Sequence, residues 1–189
     1  MVENETRRER EMKFLREIVP WLNNVLESWI TEISVESGEA AWMDLGSLAV
    51  HEKYKVYSGR APVWQDENRW FWARFDREVD VLIGRRAIVG GDEMVLPLVA
   101  IELKTGNPLS TDELDKKGAI YTELKNQHPR LMTCLVVESN EVRRLKDETF
   151  LRNARHFDRI ITDWNQRSQG ILARSIQAHL HYAIGYWGR

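Results

Sequence analysis

Two apolar periodicities follow one another along the chain. From Met12, the positions Phe14, Leu15, Ile18, Val19, Leu22, Val25, Leu26, Trp29, Ile30 and Ile33 recur at helical spacing and predict an amphipathic helix. Pro20 falls inside that run and predicts a kink or the first turn of a second helix. Residues 37–47, with Gly38 and Gly46, read as loop. Ser47–Tyr57 alternates well enough to form a first strand, and Ser58–Asn68, with Gly59 and Pro62, reads as a second loop. Arg69–Phe75 then leads into a second strand, where Val79, Val81 and Ile83 point one way and Glu78, Asp80 and Leu82 the other. Gly90-Gly91-Asp92 marks a hairpin turn into a third strand with its core at Ala100–Lys104. Pro97 interrupts that strand unless it sits at a bulge or on an edge. Ile101 and Leu103 share the apolar face, so Glu102 and Lys104 emerge together on the opposite one.

After Lys104 the pattern returns to helical spacing. Ser110 or Thr111 caps a helix running to about Gln127, with Leu114, Ile120, Tyr121 and Leu124 facing the sheet. The continuous apolar run at 131–139 has the look of a central strand buried on both faces. Val142–Thr162 predicts a helix and then a short strand at Arg159–Thr162. A final helix carries Leu172, Ile176, Leu180 and Ile184 at four-residue steps, as a core helix or a dimer seam. The order α-β-β-β-α-β predicts an α/β chain of the α+β kind. A mixed central sheet is flanked by helices, in one domain over 1–189 with its core at about 12–139 and a helical extension at about 140–189.

Composition narrows the class. At 189 residues, 43% hydrophobic and 30% charged, the chain is that of a soluble globular protein. The N-terminus is charged rather than a secretory signal and no apolar run approaches ~18 residues, so an intracellular, cytoplasmic protein outside the membrane is expected. The single cysteine, Cys134, excludes an internal disulfide and suits a reducing compartment. A net charge of −2 conceals an uneven distribution, because Arg143–Arg189 holds nine Lys/Arg against four Asp/Glu. That basic third could supply phosphate contacts or be a solvated surface. The eight tryptophans suit core and interface packing, and with the last helix they predict a homodimer. Trp70, Trp72, Arg69 and Arg74 could stack on nucleic acid, but an aromatic strand face covered by the first helix is the simpler expectation.

Candidate chemistry concentrates in the second and third strands. If they pair, Asp80, Glu102 and Lys104 converge on a polar edge of the sheet, where two acids and a lysine can hold a hard divalent cation and a water beside it. Glu-x-Lys occurs three times in the chain, at Glu11–Lys13, Glu102–Lys104 and Glu123–Lys125. Only the middle copy sits in a strand that follows an acid-bearing strand and precedes a helix. The other two fall in helix-like stretches, where solvated charges are expected.

Over residues 45–138 this arrangement resembles the PD-(D/E)xK nuclease superfamily, with its restriction-endonuclease-like fold. Val79 stands where the family usually has Pro. The resemblance implies a metal-dependent endonuclease or resolvase-like hydrolase of DNA, leaving a 5′-phosphate and a 3′-hydroxyl. By the same resemblance Asp80 and Glu102, with the carbonyl of Leu103, would bind Mg2+ or Mn2+. Lys104 would orient or deprotonate the attacking water and stabilise charge on the phosphate. No organic cofactor is implied. Glu52 is a candidate additional acid, and Glu27, Glu32 and Glu36 are weaker ones on the first helix. His51 could face a phosphate or simply pack. The RecB-like branch places Gln four residues before Tyr on the helix after Glu-x-Lys; here Lys117 precedes Tyr121, and Lys117 could reach a phosphate or be solvated. A catalytically silent nuclease-fold protein used for DNA binding or assembly is the alternative.

Overall fold

Thr6 and Glu9 close a capping box: the Glu9 amide donates to the Thr6 hydroxyl and the Glu9 carboxylate accepts from the Thr6 amide at 2.7 Å. The first helix, α1 (Arg7–Glu36), therefore begins five residues ahead of the apolar stripe and carries Glu11 in its second turn. Pro20 lies inside it, on the solvent side. The stripe continues on both sides of the proline, so packing against the sheet holds one helix there. The computed structural model describes residues 6–36, 47–66, 69–89, 91–105, 110–139, 150, 152 and 154–185. The helix expected just after Asn140, the loop at 37–46 and Trp187 fall outside them.

Five strands follow in the order β1-β2-β3-β4-β5: β1 (Leu48–Asp66), β2 (Arg69–Val89), β3 (Asp92–Lys104), β4 (Met132–Val137) and β5 (Arg159–Ile161). The first three form antiparallel hairpins, while β3-β4 and β4-β5 are parallel. The class is α+β, with a central mixed sheet flanked by helices. Val89 pairs with Asp92 across a two-residue turn, in which Gly91 takes φ 94°, a value open to glycine at no steric cost. Pro97 sits at a bulge, where the register shifts between Ile83 and Gly84, as its missing N–H requires.

Helix α2 (Thr111–Gln127) crosses between β3 and β4, and α3 (Gln166–Gly185) ends the described chain. On one face of the sheet Val81, Ile83, Val99, Ile101, Leu103, Cys134 and Val136 meet α1 and the Leu172, Ile176, Leu180 side of α3. On the other face Leu82, Ala100, Leu135 and Val137 meet Leu114, Tyr121 and Leu124 of α2. The stripe of α3 is thus occupied within the core of one chain. No helix among the described residues is long and apolar enough to cross a membrane.

Two expectations are corrected here. Ser58–Asp66 is strand rather than loop. The bulge at Gly59 (φ 149°) absorbs the irregularity, and Pro62 is tolerated because β1 is an edge strand paired only with β2. Nor is the aromatic segment covered by α1. Strand β2 meets β3 only from Val81 onward, so 58–66 and 69–76 leave the sheet as a two-stranded ribbon, with Trp70, Phe71 and Trp72 each about half exposed. One face of that ribbon stacks the Arg60 guanidinium on Trp72 at 4.8 Å. Val79 also departs from simple alternation and packs on the α2 side with Leu82. The change of face coincides with a break in the β1-β2 ladder, which pairs Glu52 with Val81 and Tyr54 with Val79 but skips Lys53 and Asp80.

Candidate active site

The β2-β3 ladder ends at the pair Val81–Ile101, and the two strands splay beyond it. Asp80 fills the fork: its Oδ2 accepts from the Leu103 amide at 2.8 Å, pairing a donor that the ladder no longer satisfies. The Lys104 carbonyl accepts from the Glu138 amide on the β4 side, so the preceding residue of the extended strand, Leu103, turns its amide and carbonyl toward Asp80. A cavity of about 280 Å³ opens there, lined by Asp80, Glu102, Leu103 and Lys104 together with Glu11, Lys53, Glu78, Thr105, Glu113 and Lys117.

The three central side chains are not on an exposed polar edge, as the sequence suggested. Asp80 is 8% exposed, Glu102 1% and Lys104 7%; Glu113, Lys117 and Tyr121 of α2 reach Lys104 and Glu102, and Lys53 and the Leu103 amide close on Asp80. Buried charges require partners, and each has them. Glu102 Oε1 accepts from Lys104 Nζ at 2.9 Å and from Lys117 Nζ at 2.8 Å, while the Tyr121 hydroxyl donates to Oε2 at 3.2 Å. Lys104 also donates to Glu113 at 2.8 Å. Ser110 caps α2 through the Glu113 amide, and Glu113, three residues on, directs its carboxylate to Lys104. Lys53 pairs with Asp80 at 2.5 Å and with Glu11 of α1.

Electrostatics follow from that packing. Burial works against the Lys104 ammonium, but the Glu102 charge and hydrogen bonds to Glu113 and Glu102 outweigh it and raise its pKa. Burial likewise opposes the Lys53 ammonium, and its bonds to Asp80 and Glu11 lift it above the ordinary lysine range. Burial first, and then the Glu102 charge, push the Tyr121 phenol well above its usual value, so it remains a hydrogen-bond donor. The cavity wall holds five carboxylates against three ammonium groups, an excess of negative charge suited to a cation. Among the described residues no three His, Cys, Asp or Glu side chains form a ready-made metal cluster. Mg2+ does not need one, since it commonly binds through one or two carboxylates and keeps several waters. The donor set of Asp80, Glu102 and a backbone oxygen fits such an ion by its chemistry.

The sequence-derived residues divide cleanly. Asp80, Glu102, Leu103, Lys104, Lys117 and Tyr121 come together. Glu52 is exposed and does not line the cavity. His51 packs against Tyr54 with ring centroids 5.0 Å apart, and burial and Arg86 lower its pKa. Glu27 and Glu32 lie elsewhere on α1, where Glu11 is the acid that reaches the site; the Glu11–Lys13 copy is therefore not simply solvated. In the Glu123–Lys125 copy, Glu123 pairs with Arg77 and Lys125 with Asp158. Of the basic C-terminal third, Arg159 lies away from the cavity: it pairs with Cys134 in the ladder and lines a hollow with Arg130 and Met132 near the opposite end of β4, while Arg143, Arg144, Lys146 and Arg189 fall outside the described residues.

Comparison with known proteins adds little to this. No family model matches the chain, and no curated protein matches it. One solved structure that does match is described as the native BbvCI A2B2 tetramer at low resolution, 9% identical, with a TM-score of 0.42 over 67% of this chain and 57% of that one. An overlap that slight carries no argument. The functional case rests on the cavity.

Proposed function

We propose that the protein is a metal-dependent deoxyribonuclease of the PD-(D/E)xK type, hydrolysing a DNA phosphodiester bond. The observation that carries this is the burial of Asp80, Glu102 and Lys104 around one carboxylate-rich cavity at the fork of β2 and β3. Asp80 and Glu102, with the Leu103 carbonyl, would hold Mg2+ or Mn2+. When bound, such an ion polarises a phosphoryl oxygen and makes its coordinated water more acidic. Lys104, held as an ammonium, places positive charge where the phosphate gains negative charge in the transition state. Lys117 offers a second ammonium from α2, 31% exposed and therefore accessible to a phosphate. Tyr121 fixes Glu102 from below by its hydroxyl. The ribbon of β1 and β2 runs on from Lys53 and Asp80, with Arg60 and Trp72 about 25 Å away at a strand's rise, so Trp70, Trp72 and the stacked Arg60 would supply base-stacking and phosphate contacts to DNA extending beyond the site. Its apolar side, with Val63, Phe71 and Phe75, is the surface on which a homodimer would form.

A silent, DNA-binding role has one observation in its favour, since lysines already engage both candidate metal carboxylates. Incubating the purified protein with branched, duplex and single-stranded DNAs in Mg2+ or Mn2+ separates the two. Metal-dependent cleavage of any of them supports the nuclease, and binding without cleavage across the panel supports the silent protein.

A further inference from the structure

Lys53 is the feature of the site that the nuclease proposal leaves unused. It is the non-glycine residue with positive φ among the described residues, at 45°. An L residue in that region bears a steric cost, which persists only where the surroundings fix it. Here the surroundings are specific. Lys53 stands opposite Asp80 in the register of β1 and β2, yet the ladder skips both residues. Its ammonium lies in the cavity between the Asp80 carboxylate, at 2.5 Å, and Glu11 of α1. A lysine inside a regular strand would need neither the backbone excursion nor the two acids.

We infer that Lys53 is an exchangeable internal cation: its ammonium neutralises Asp80 and Glu11 in the metal-free protein and is displaced when a divalent cation binds Asp80. The inference rests on the metal site proposed above and concerns how that site is kept in its metal-free state. Two acids from different elements, α1 and β2, face each other across the cavity. Without a cation between them they would repel, and the helix would lose its electrostatic tie to the sheet. Lys53 is the ammonium that the chain places between these two acids. Its side chain is 33% exposed, so it has a path to water once released. Lys104 is different in kind, its side chain buried and anchored by both Glu102 and Glu113.

The direct test is the chemical reactivity of Lys53. The protein is treated with an amine-acylating reagent with and without Mg2+, and labelling at Lys53 is read by mass spectrometry against the exposed Lys116. Protection of Lys53 without Mg2+, rising toward the Lys116 rate as Mg2+ saturates, is the expected result. Unchanged labelling of Lys53 while calorimetry shows Mg2+ bound overturns the inference and leaves the metal site standing. Absence of Mg2+ binding overturns both. A second measurement guards against an indirect effect on labelling. Lys53→Met removes the competing charge and should bind Mn2+ about tenfold more tightly or better, whereas Lys53→Arg should bind no more tightly than wild type. Equal affinity of Lys53→Met and wild type rejects displacement.

Discussion

Lys104→Met separates structure from chemistry at the site. The substitution keeps most of the aliphatic stem but removes an ammonium that is 2.9 Å from Glu102 and 2.8 Å from Glu113. Orphaning a buried charge typically costs 3–5 kcal/mol, roughly. Glu102 is not orphaned here, because Lys117 remains at 2.8 Å and Tyr121 at 3.2 Å. The loss is then that of charge-assisted hydrogen bonds, about 1.5–3 kcal/mol. A domain with about 5–15 kcal/mol of stability stays folded after such a change. Urea denaturation followed by tryptophan fluorescence measures this term. Cleavage measured on the folded variant reports the other. If the ammonium stabilises charge on the phosphate, turnover falls by about 100-fold or more, while Mn2+ still binds. Full cleavage by Lys104→Met would refute the role given to this residue. Joint loss of cleavage and Mn2+ affinity would assign it instead to holding Glu102 in place.

Further outcomes follow from the ribbon and the far end of the sheet. Replacing Trp70 and Trp72 together by Ala should weaken DNA binding by about 1–3 kcal/mol per lost stack, with little change in urea midpoint, since both are half exposed. Fluorescence anisotropy with labelled DNA reads this, and unchanged binding removes the ribbon from the DNA contact. Asp158 ties β5 to β4 by accepting from the Thr133 amide at 2.8 Å and from Lys125. Burial alone would raise its pKa, but those bonds outweigh it and lower it. A depressed folded-state pKa contributes stability that is present above about pH 4 and is lost as pH falls through the folded value. Asp158→Asn should therefore be less stable at neutral pH and show a shallower acid-side loss than wild type; parallel stability curves for the two proteins would contradict this.

What the chain disclosed in advance follows from which residues carry local signals. Alternation in Ala100–Lys104 and the glycine turn before it put Glu102 and Lys104 on one face and, with the strands paired, brought Asp80 toward them; the change of face at Val79 and the fork beyond Val81–Ile101 carried no local signal. The uniform apolar run of β4 likewise announced its burial between two parallel neighbours. Lys53 and Glu11 were not legible in this way. Lys53 enters the site through a left-handed backbone that no propensity signals, and Glu11 reaches it because a Thr6–Glu9 capping box starts α1 before its apolar stripe. Glu52 was a candidate by resemblance and not by any local pattern; it is exposed and outside the cavity, and Lys53 is the neighbour that turns inward at the break in the ladder. The ribbon was misread because Gly59 and Pro62, ordinary loop residues, are also what an irregular edge strand accepts. Aromatic content then suggested burial where the tertiary structure provides no cover.

Titration of Mn2+ into the metal-free protein tests the site most directly. Wild type should bind the ion, Asp80→Asn and Glu102→Gln should each lose that binding, and Glu52→Gln, whose side chain lies outside the cavity, should retain it. No binding by wild type, or equal binding by all four proteins, would contradict a metal centre at the fork of β2 and β3.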